Sequence, residues 1–143
     1  MPATELTLRQ EYEMSEKTEQ PTISLESGRN EYTFMVYQEQ AMRTAKAIDD
    51  VSDIMHATLG LCSEAGELAT TVKKWMAYGQ PLDVKNIVEE VGDIFWFAAL
   101  LCTKLNIRLE DVAVNNIAKL YERYPEKFTD QLAADRLDKV DVN

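Results

Sequence analysis

The sequence predicts an all-α fold, an antiparallel four-helix bundle. Apolar residues recur at intervals of three and four along the middle of the chain, which is typical of amphipathic helices. With 5 glycines and 4 prolines, the chain has too few turn formers for an all-β fold. Short connections between the helices favour antiparallel neighbours. At 143 residues the chain is long enough for one domain with its own core.

The first two helices are predicted from apolar spacing and from residues that cap helix ends. Phe34, Tyr37 and Ala41 begin the apolar pattern of a first helix over about residues 33–49. Ser52 or Asp53 is the predicted N-cap of a second helix, which continues through 75 and ends at 79, a glycine suited to a left-handed C-cap.

Two more helices follow a turn at Pro81. Asp83 is the predicted N-cap of the third helix, which ends near Asn106, a residue that tolerates the left-handed conformation. The fourth helix spans about 110–124 and stops at Pro125, because proline lacks the N–H that a helix interior needs. Residues 130–140 have the pattern of a weak helix.

Composition divides the chain into three parts. Residues 1–30 are polar and acidic without a sustained period, and we expect a flexible arm there. Residues 31–128 form the helical domain. Residues 129–143 form a charged tail with a short helix in it.

The charge and the apolar segments limit the class of protein. The formal net charge is −10, which disfavours binding to nucleic acid or to an anionic membrane surface. The apolar run 94–101 is shorter than the roughly 20 residues that span a bilayer, and the N-terminus lacks the pattern of a signal peptide. Cys62 and Cys102 lie in apolar helical stretches, where reduced core thiols are favoured over a disulfide. We therefore expect a soluble cytoplasmic protein.

Two carboxylate pairs share one helical spacing. Glu64 and Glu67 are three residues apart on the second helix, and Glu90 and Asp93 are three apart on the third. Residues at this spacing lie on one face of a helix, so each pair directs two carboxylates to the same side. A single acidic pair is usually solvated, but two pairs beside apolar stripes favour a common site. The stripes are Leu61, Ala65, Leu68, Val72 and Trp75 on the second helix and Ile87, Val91, Ile94, Ala98, Leu101 and Leu105 on the third.

A glycine lies inside each pair. Gly66 and Gly92 each cost the helix about 1 kcal/mol relative to alanine, which indicates a close approach of backbone or ligand, or close packing of the two helices.

Oxygen ligands favour a hard divalent cation at these four positions. Mg²⁺ is bound by carboxylates together with substrate phosphates, and Mn²⁺ is a possible substitute. A ferritin-like di-iron centre needs two histidines, whereas the chain has one, His56, which we expect to be a packing residue rather than a substrate contact.

Basic and amide side chains form a second candidate group. Asn116, Lys119 and Arg123 share one ridge of the fourth helix, and Lys74 extends the carboxylate ridge of the second helix, whereas Lys73 points elsewhere. Such residues are usually solvated surface groups, and they gain interest only from nearby carboxylates. Residues 94–101 place apolar side chains on every side of the third helix. This favours a homo-oligomeric interface over a helix wrapped by its own chain.

Three stretches within residues 32–128 resemble the MazG-like branch of the all-α nucleoside triphosphate pyrophosphohydrolases. They are L-G-L-C-S-E-A-G-E-L-A-T-T-V-K-K-W, N-I-V-E-E-V-G-D-I-F-W-F and N-N-I-A-K-L-Y-E-R-Y-P-E-K-F. The resemblance implies a homodimer or homotetramer that hydrolyses a (d)NTP to the monophosphate and pyrophosphate with Mg²⁺, in nucleotide pool control or house-cleaning. By position, it implies that Glu64, Glu67, Glu90 and Asp93 are catalytic metal ligands. It further implies substrate contacts for Lys74, Asn116, Lys119 and Arg123.

The chain departs from many relatives at one position, because Ser63 precedes Glu64 where they have a second acid. The general base is therefore Glu64 or Glu67, or Glu89 is recruited in place of the missing acid. Two other functions stay open: a sensor that binds a metal-nucleotide without turnover, and a hydrolase of another pyrophosphate metabolite such as phosphoribosyl-ATP. Candidate nucleobase contacts are Tyr37, Gln38, Thr44, Trp75 and Trp96.

Overall fold

The structure, a computed structural model, describes residues 32–46 and 48–139, and the only regular elements in that part of the chain are helices. Those residues contain no strand, which confirms the all-α class. The elements are α1 (Phe34–Met42), α2 (Asp50–Tyr78), α3 (Val84–Lys104), α4 (Leu109–Arg123), α5 (Asp130–Asp135) and a 3-10 turn (Leu137–Lys139). The predicted arm 1–30 lies outside the described residues.

Helix α1 is shorter than the 33–49 predicted. It begins after Thr33, whose hydroxyl accepts a hydrogen bond from the Val36 N–H, and it ends at Met42. The Trp96 indole N–H donates to the Ala41 carbonyl at 3.1 Å and to the Thr44 hydroxyl at 2.9 Å. The Thr44 hydroxyl donates to the same carbonyl. The Ala41 carbonyl is thus bonded to the Trp96 indole and to the Thr44 hydroxyl at the point where the chain turns, although its apolar pattern continues.

The predicted N-cap of α2 is wrong by one turn. Asp49 is the cap, and its carboxylate accepts the Ser52 N–H at 3.0 Å. Asp53 is fully buried instead, where it forms a 2.6 Å ion pair with Lys104 of α3 and accepts the Ile48 N–H. This pair closes one end of the α2–α3 hairpin.

The other ends of the long helices agree with the sequence. Gly79 ends α2 with φ 65°, and the Asp83 side chain accepts the Asn86 N–H at the start of α3. Helix α3 ends at Lys104, and Asn106 adopts φ 55° while the Ile107 N–H donates back to the Cys102 carbonyl. Glycine and asparagine tolerate this left-handed conformation, which explains both stops.

Helix α3 is central to the packing. It forms a hairpin with α2, and α1 and α4 pack against it elsewhere, while α4 also contacts α1 and the 3-10 turn. Helix α2 packs chiefly on α3. The run 94–101 is therefore mostly covered by its own chain, with Ala99 and Leu100 buried, although Phe95 stays exposed.

The α2 face that packs on α3 differs from the predicted stripe. The buried residues of α2 are Asp53, Ala57, Gly60 and Thr71. Of the predicted stripe, Ala65 and Trp75 are exposed and Leu61, Leu68 and Val72 are only half-buried. On α3 the buried residues are Glu90, Ala99, Leu100 and Cys102, whereas Val91 and Leu105 of the predicted stripe are exposed. Small and polar side chains thus line the seam between the helices, and the carboxylates lie along it.

An apolar face of α2 has no cover from the described residues. Val51, Met55, Leu59 and Met76 are all more than half exposed. Ala65, Leu68, Ala69, Val72 and Met76 line an open groove of about 560 Å³ together with Lys73, which points away from the carboxylates as predicted. Among the described helices, none is both long and apolar enough to cross a membrane.

A glycine other than the two predicted is in close contact with the neighbouring helix. A Cβ at Gly66 or Gly92 would meet nothing within 4 Å, so packing within the described chain does not explain these two glycines. A Cβ at Gly60 would lie 2.3 Å from the ring of Phe97 on α3. Gly60 therefore lets α2 and α3 approach one turn before Glu64.

Candidate metal centre

Three of the four predicted carboxylates come together across the α2–α3 seam. Oxygens of Glu64, Glu90 and Asp93 lie within 4.8 Å of one another. Glu90 is buried at 5% exposure, Glu64 is half-buried and Asp93 is exposed, so the cluster opens to solvent on one side. Because α2 supplies one acid and α3 supplies two, the geometry depends on the pairing of the helices.

The pKa of Glu64, one of the three acids of the cluster, is shifted by its surroundings. Burial, a hydrogen bond with Glu90, and then the charges of Glu67, Asp93 and Glu90 raise the pKa of Glu64 above its ordinary value. A carboxylic acid that donates to a carboxylate is the arrangement such a crowded site favours without a cation. A bound cation would reverse this preference by stabilising both carboxylates in their charged forms.

Glu67 lies beside this group rather than in it. Its side chain is exposed, and it is absent from the set of oxygens that lie within 4.8 Å. Its negative charge still acts on Glu64. A role for Glu67 as metal ligand stays a prediction.

Two neutral residues that the sequence reasoning missed are bonded to the cluster. The Asn86 side-chain amide donates to Glu90 at 2.7 Å, and the Thr71 hydroxyl donates to the Asn86 side-chain oxygen. The available signal was spacing, since Asn86 precedes Glu90 by four residues and so shares its face of α3. Thr71 follows Glu64 by two helical turns on α2.

Lys74 lies near the connected end of the hairpin, close to Thr71 and Asn86. It lines a pocket of about 370 Å³ with Thr71, Asn86, Gln80, Pro81 and Asp83. The pocket therefore shares two residues with the hydrogen bonds that lead to Glu90.

The residues predicted on the fourth helix are not gathered at the cluster. Asn116 and Lys119 are exposed on α4, and no hydrogen bond or ion pair joins them to the carboxylates within the described residues. Arg123 forms two 2.6 Å hydrogen bonds with Asp138, whose side chain is fully buried. These bonds lower the pKa of Asp138 to about 2. Arg123 would have to leave Asp138 in order to hold a phosphate.

The predicted nucleobase contacts have different surroundings. Gln38 bonds to Thr103 and to the backbone of Ile107 and Leu109, which fixes the α3–α4 connection. Thr44 and Trp96 bond to each other. Trp75 is exposed.

Tyr37 lies near the carboxylates. Its hydroxyl donates to the Gly92 carbonyl at 3.4 Å, and burial, then Tyr32, then Asp93 raise its pKa. With Tyr32, Thr33, Phe34 and Phe95 it lines an apolar pocket of about 200 Å³. The lining of this pocket is mainly aromatic, and the charge of Asp93 acts on one of its residues, Tyr37.

His56 packs against an aromatic ring, as predicted. Its ring meets that of Phe97 edge-on, with centroids 5.4 Å apart.

The acidic cluster fits a hard divalent cation. Mg²⁺ binds oxygen at about 2.0–2.1 Å, so two of its ligand oxygens are roughly 3–4 Å apart. The 4.8 Å limit within the cluster is slightly wider than this, so the side chains would rotate slightly on binding the ion. Glu64, Glu90 and Asp93 would hold the ion, and the exposed side leaves room for water and phosphate oxygens.

Comparison with known proteins gives the family. A phage protein, Gene 37 protein of Mycobacterium phage L5, is 32% identical over 79 residues, which cover 52% of this chain and 69% of the phage protein. No solved structure gives a significant match. The MazG nucleotide pyrophosphohydrolase domain matches residues 54–128, which include the acidic cluster and α4. The match spans more than half of the 143 residues, and the chain therefore belongs to the MazG nucleotide pyrophosphohydrolase family.

Proposed function

We propose that this protein hydrolyses a nucleoside triphosphate, a dNTP or an NTP, to the monophosphate and pyrophosphate with Mg²⁺, and with Mn²⁺ as a substitute. The observation that carries the proposal is the set of three carboxylates from two helices within 4.8 Å, inside the residues that match a MazG domain. Buried acids are costly unless a cation compensates them, so binding of a nucleotide alone would not favour this cluster. Nucleotide pool control in the cytoplasm is the role that we propose for this activity.

The proposed reaction breaks the bond between the α-phosphorus and the oxygen that bridges to the β-phosphorus. A water oxygen attacks the α-phosphorus in line, pyrophosphate leaves, and a carboxylate accepts the proton of the water. When bound, Mg²⁺ supplies charge neutralisation on the triphosphate and a lowered pKa for water. On α3, Glu90 and Asp93 would bind the cation through their carboxylates. Glu64 or Glu67 accepts the proton, namely the one that the cation does not fully occupy.

Positive charge is also needed for the phosphate oxygens. Lys74 supports this role because its pocket adjoins Asn86, which is bonded to Glu90. Asn116, Lys119 and Arg123 remain proposed substrate contacts by analogy with the family, and α4 would have to present them to a triphosphate. The pocket of Tyr37 and Phe95 has the apolar, aromatic lining that suits a nucleobase, and the charge of Asp93 acts on Tyr37.

We also propose a homodimer or homotetramer. The uncovered apolar face of α2 is the supporting observation, because monomeric proteins seldom expose a long row of large apolar side chains. Two α2–α3 hairpins joined along this face would form the four-helix bundle. Sedimentation equilibrium measures the mass, and a monomer at micromolar concentration would contradict this part of the proposal.

The test of activity separates the products formed from a panel of dNTPs and NTPs with Mg²⁺. We expect monophosphate and pyrophosphate, and labelled oxygen from water in the monophosphate. Diphosphate and orthophosphate would exclude the reaction. No turnover with bound nucleotide would favour a sensor, and turnover of phosphoribosyl-ATP alone would favour the other hydrolase.

Two variants connect the activity to the cluster. Glu90→Gln removes one charge and should lower kcat by at least 100-fold, in the range typical of lost electrostatic stabilisation in a transition state. Glu122→Gln removes the same charge from the exposed surface of α4 and should leave kcat unchanged. Equal activity of the two variants would refute the site.

A further inference from the structure

Hydrogen bonds between uncharged side chains connect helix α2 to Glu90, the most buried acid of the cluster. The Thr71 hydroxyl of α2 donates to the side-chain oxygen of Asn86, and the Asn86 amide nitrogen donates to Glu90 at 2.7 Å. Thr71 and Glu90 are 7% and 5% exposed, so water competes little for these bonds. The backbone N–H of Asn86 donates to the Asp83 carboxylate at 3.0 Å. Both the backbone and the side chain of Asn86 are therefore fixed.

The order of donors and acceptors gives the bonds a direction. An asparagine amide has one oxygen that accepts and one nitrogen that donates. Because the Thr71 hydroxyl occupies the oxygen, the nitrogen faces Glu90. The reverse orientation would place the amide oxygen against a carboxylate oxygen, which is repulsive.

The neutral charge of the donor matters for a metal site. A lysine or arginine at position 86 would compensate the charge of Glu90 and compete with a cation for it. An amide fixes the carboxylate and leaves its negative charge available. Lys104, the last residue of α3, forms an ion pair with Asp53 at the end of the hairpin opposite residues 79–83.

We propose that Thr71 and Asn86 are positioning residues, which hold the Glu90 carboxylate in the orientation that binds the divalent cation. This inference rests on the proposed function in one respect, that the cluster binds a cation. Neither residue needs to contact the cation or the nucleotide. The bonds also couple the two helices, so the orientation of an acid on α3 depends on a hydroxyl on α2.

The test measures binding of Mn²⁺ to the nucleotide-free protein by electron paramagnetic resonance. Thr71→Val keeps the shape of the side chain and removes the hydroxyl, and Asn86→Leu removes the amide. Each should weaken Mn²⁺ binding roughly 10- to 100-fold, as is typical for groups that orient metal ligands. Thr71→Ser restores the hydroxyl and should restore the affinity.

The matched control is the neighbouring threonine. Thr70 is exposed, and its hydroxyl donates to the Gly66 carbonyl of its own helix at 2.9 Å. Thr70→Val makes the same chemical change one residue away and should leave Mn²⁺ binding unchanged. Circular dichroism in EDTA establishes that each variant is folded. If Asn86→Leu does not fold, the three threonine variants decide the question.

The outcomes separate this inference from the proposed function. If the wild type binds Mn²⁺ and the variants differ as stated, but no nucleotide is hydrolysed, the positioning role stands and the proposed function fails. If the wild type hydrolyses a triphosphate while Thr71→Val and Asn86→Leu bind Mn²⁺ normally, the positioning role is refuted. A wild type that binds no Mn²⁺ refutes it as well.

Discussion

Substitution of Gly60 by alanine tests whether close contact between α2 and α3 holds the acidic cluster together. The added Cβ would lie 2.3–2.5 Å from three atoms of the Phe97 ring, which is much closer than van der Waals contact. The ring meets Trp96 and His56 edge-on, with centroids 4.9 Å and 5.4 Å away. Phe97 therefore has to move, and it gives up aromatic contacts when it does.

The size of the effect follows from three contributions. Overpacking typically costs about 1–3 kcal/mol. Loss of one aromatic pair adds about 0.5–1.5 kcal/mol. Alanine recovers about 1 kcal/mol of helix propensity. We expect a net loss of about 0.5–3.5 kcal/mol in the free energy of unfolding, taken from these ranges.

Gly66 provides the matched control on the same helix. A Cβ there meets nothing within 4 Å, so Gly66→Ala should stabilise the protein by about 0.5–1 kcal/mol. Urea unfolding followed by circular dichroism gives both values. The free energy of unfolding should be lower than that of the wild type for Gly60→Ala and higher for Gly66→Ala. Gly60→Ala with stability equal to that of Gly66→Ala would refute the reasoning, and so would unchanged Mn²⁺ binding in a destabilised Gly60→Ala.

Three further predictions concern ionisation and the ion pair of Arg123 with Asp138. In EDTA, the free energy of unfolding should fall as the pH rises above about 4.5, because Glu64 has a raised pKa in the folded protein and binds its proton more tightly there than in the unfolded chain. Mg²⁺ should reduce this fall in thermal melts, and parallel curves with and without Mg²⁺ would contradict a cation site. The pH dependence from Asp138 has the opposite sign, because its pKa is lowered to about 2 in the folded protein. Its contribution to the free energy of unfolding is present above pH 3.8 and is lost as the pH falls toward 2. The NMR signal of the Arg123 side chain reports this loss. At neutral pH, Asp138→Asn should free Arg123 and lower the KM for a triphosphate. The control is Asp135→Asn, which within the described residues disturbs only a bond to Gln131 and should leave the KM unchanged. Equal KM values for the two variants would count against Arg123 as a phosphate contact.

The sequence predicted the features that depend on local chemistry. Gly79, Asp83 and Asn106 act at helix ends through their own backbone or side chain, and each was placed correctly. The spacing of Glu90 and Asp93 predicted their shared face for the same reason.

The failures come from contacts between elements. Trp96 ended α1 early by bonding to Ala41, and Lys104 buried Asp53, which left Asp49 as the cap. Neither contact has a signal in local sequence. The apolar stripe of α2 was predicted from its spacing, yet a hydrophobic pattern does not say which surface covers it. The register of α2 against α3 determined that Gly60, and not Gly66, would meet a ring.

The connection at residues 79–83 has a consequence for how much the site tolerates change. Both arms of the hairpin carry acids of one cluster, and this short segment alone joins them. Each residue of an α-helix advances the chain by about 100°. An insertion or deletion of one residue at the junction would rotate Glu90 and Asp93 away from Glu64, unless the loop absorbed it. The length of this loop therefore helps to fix how Glu90 and Asp93 are rotated relative to Glu64.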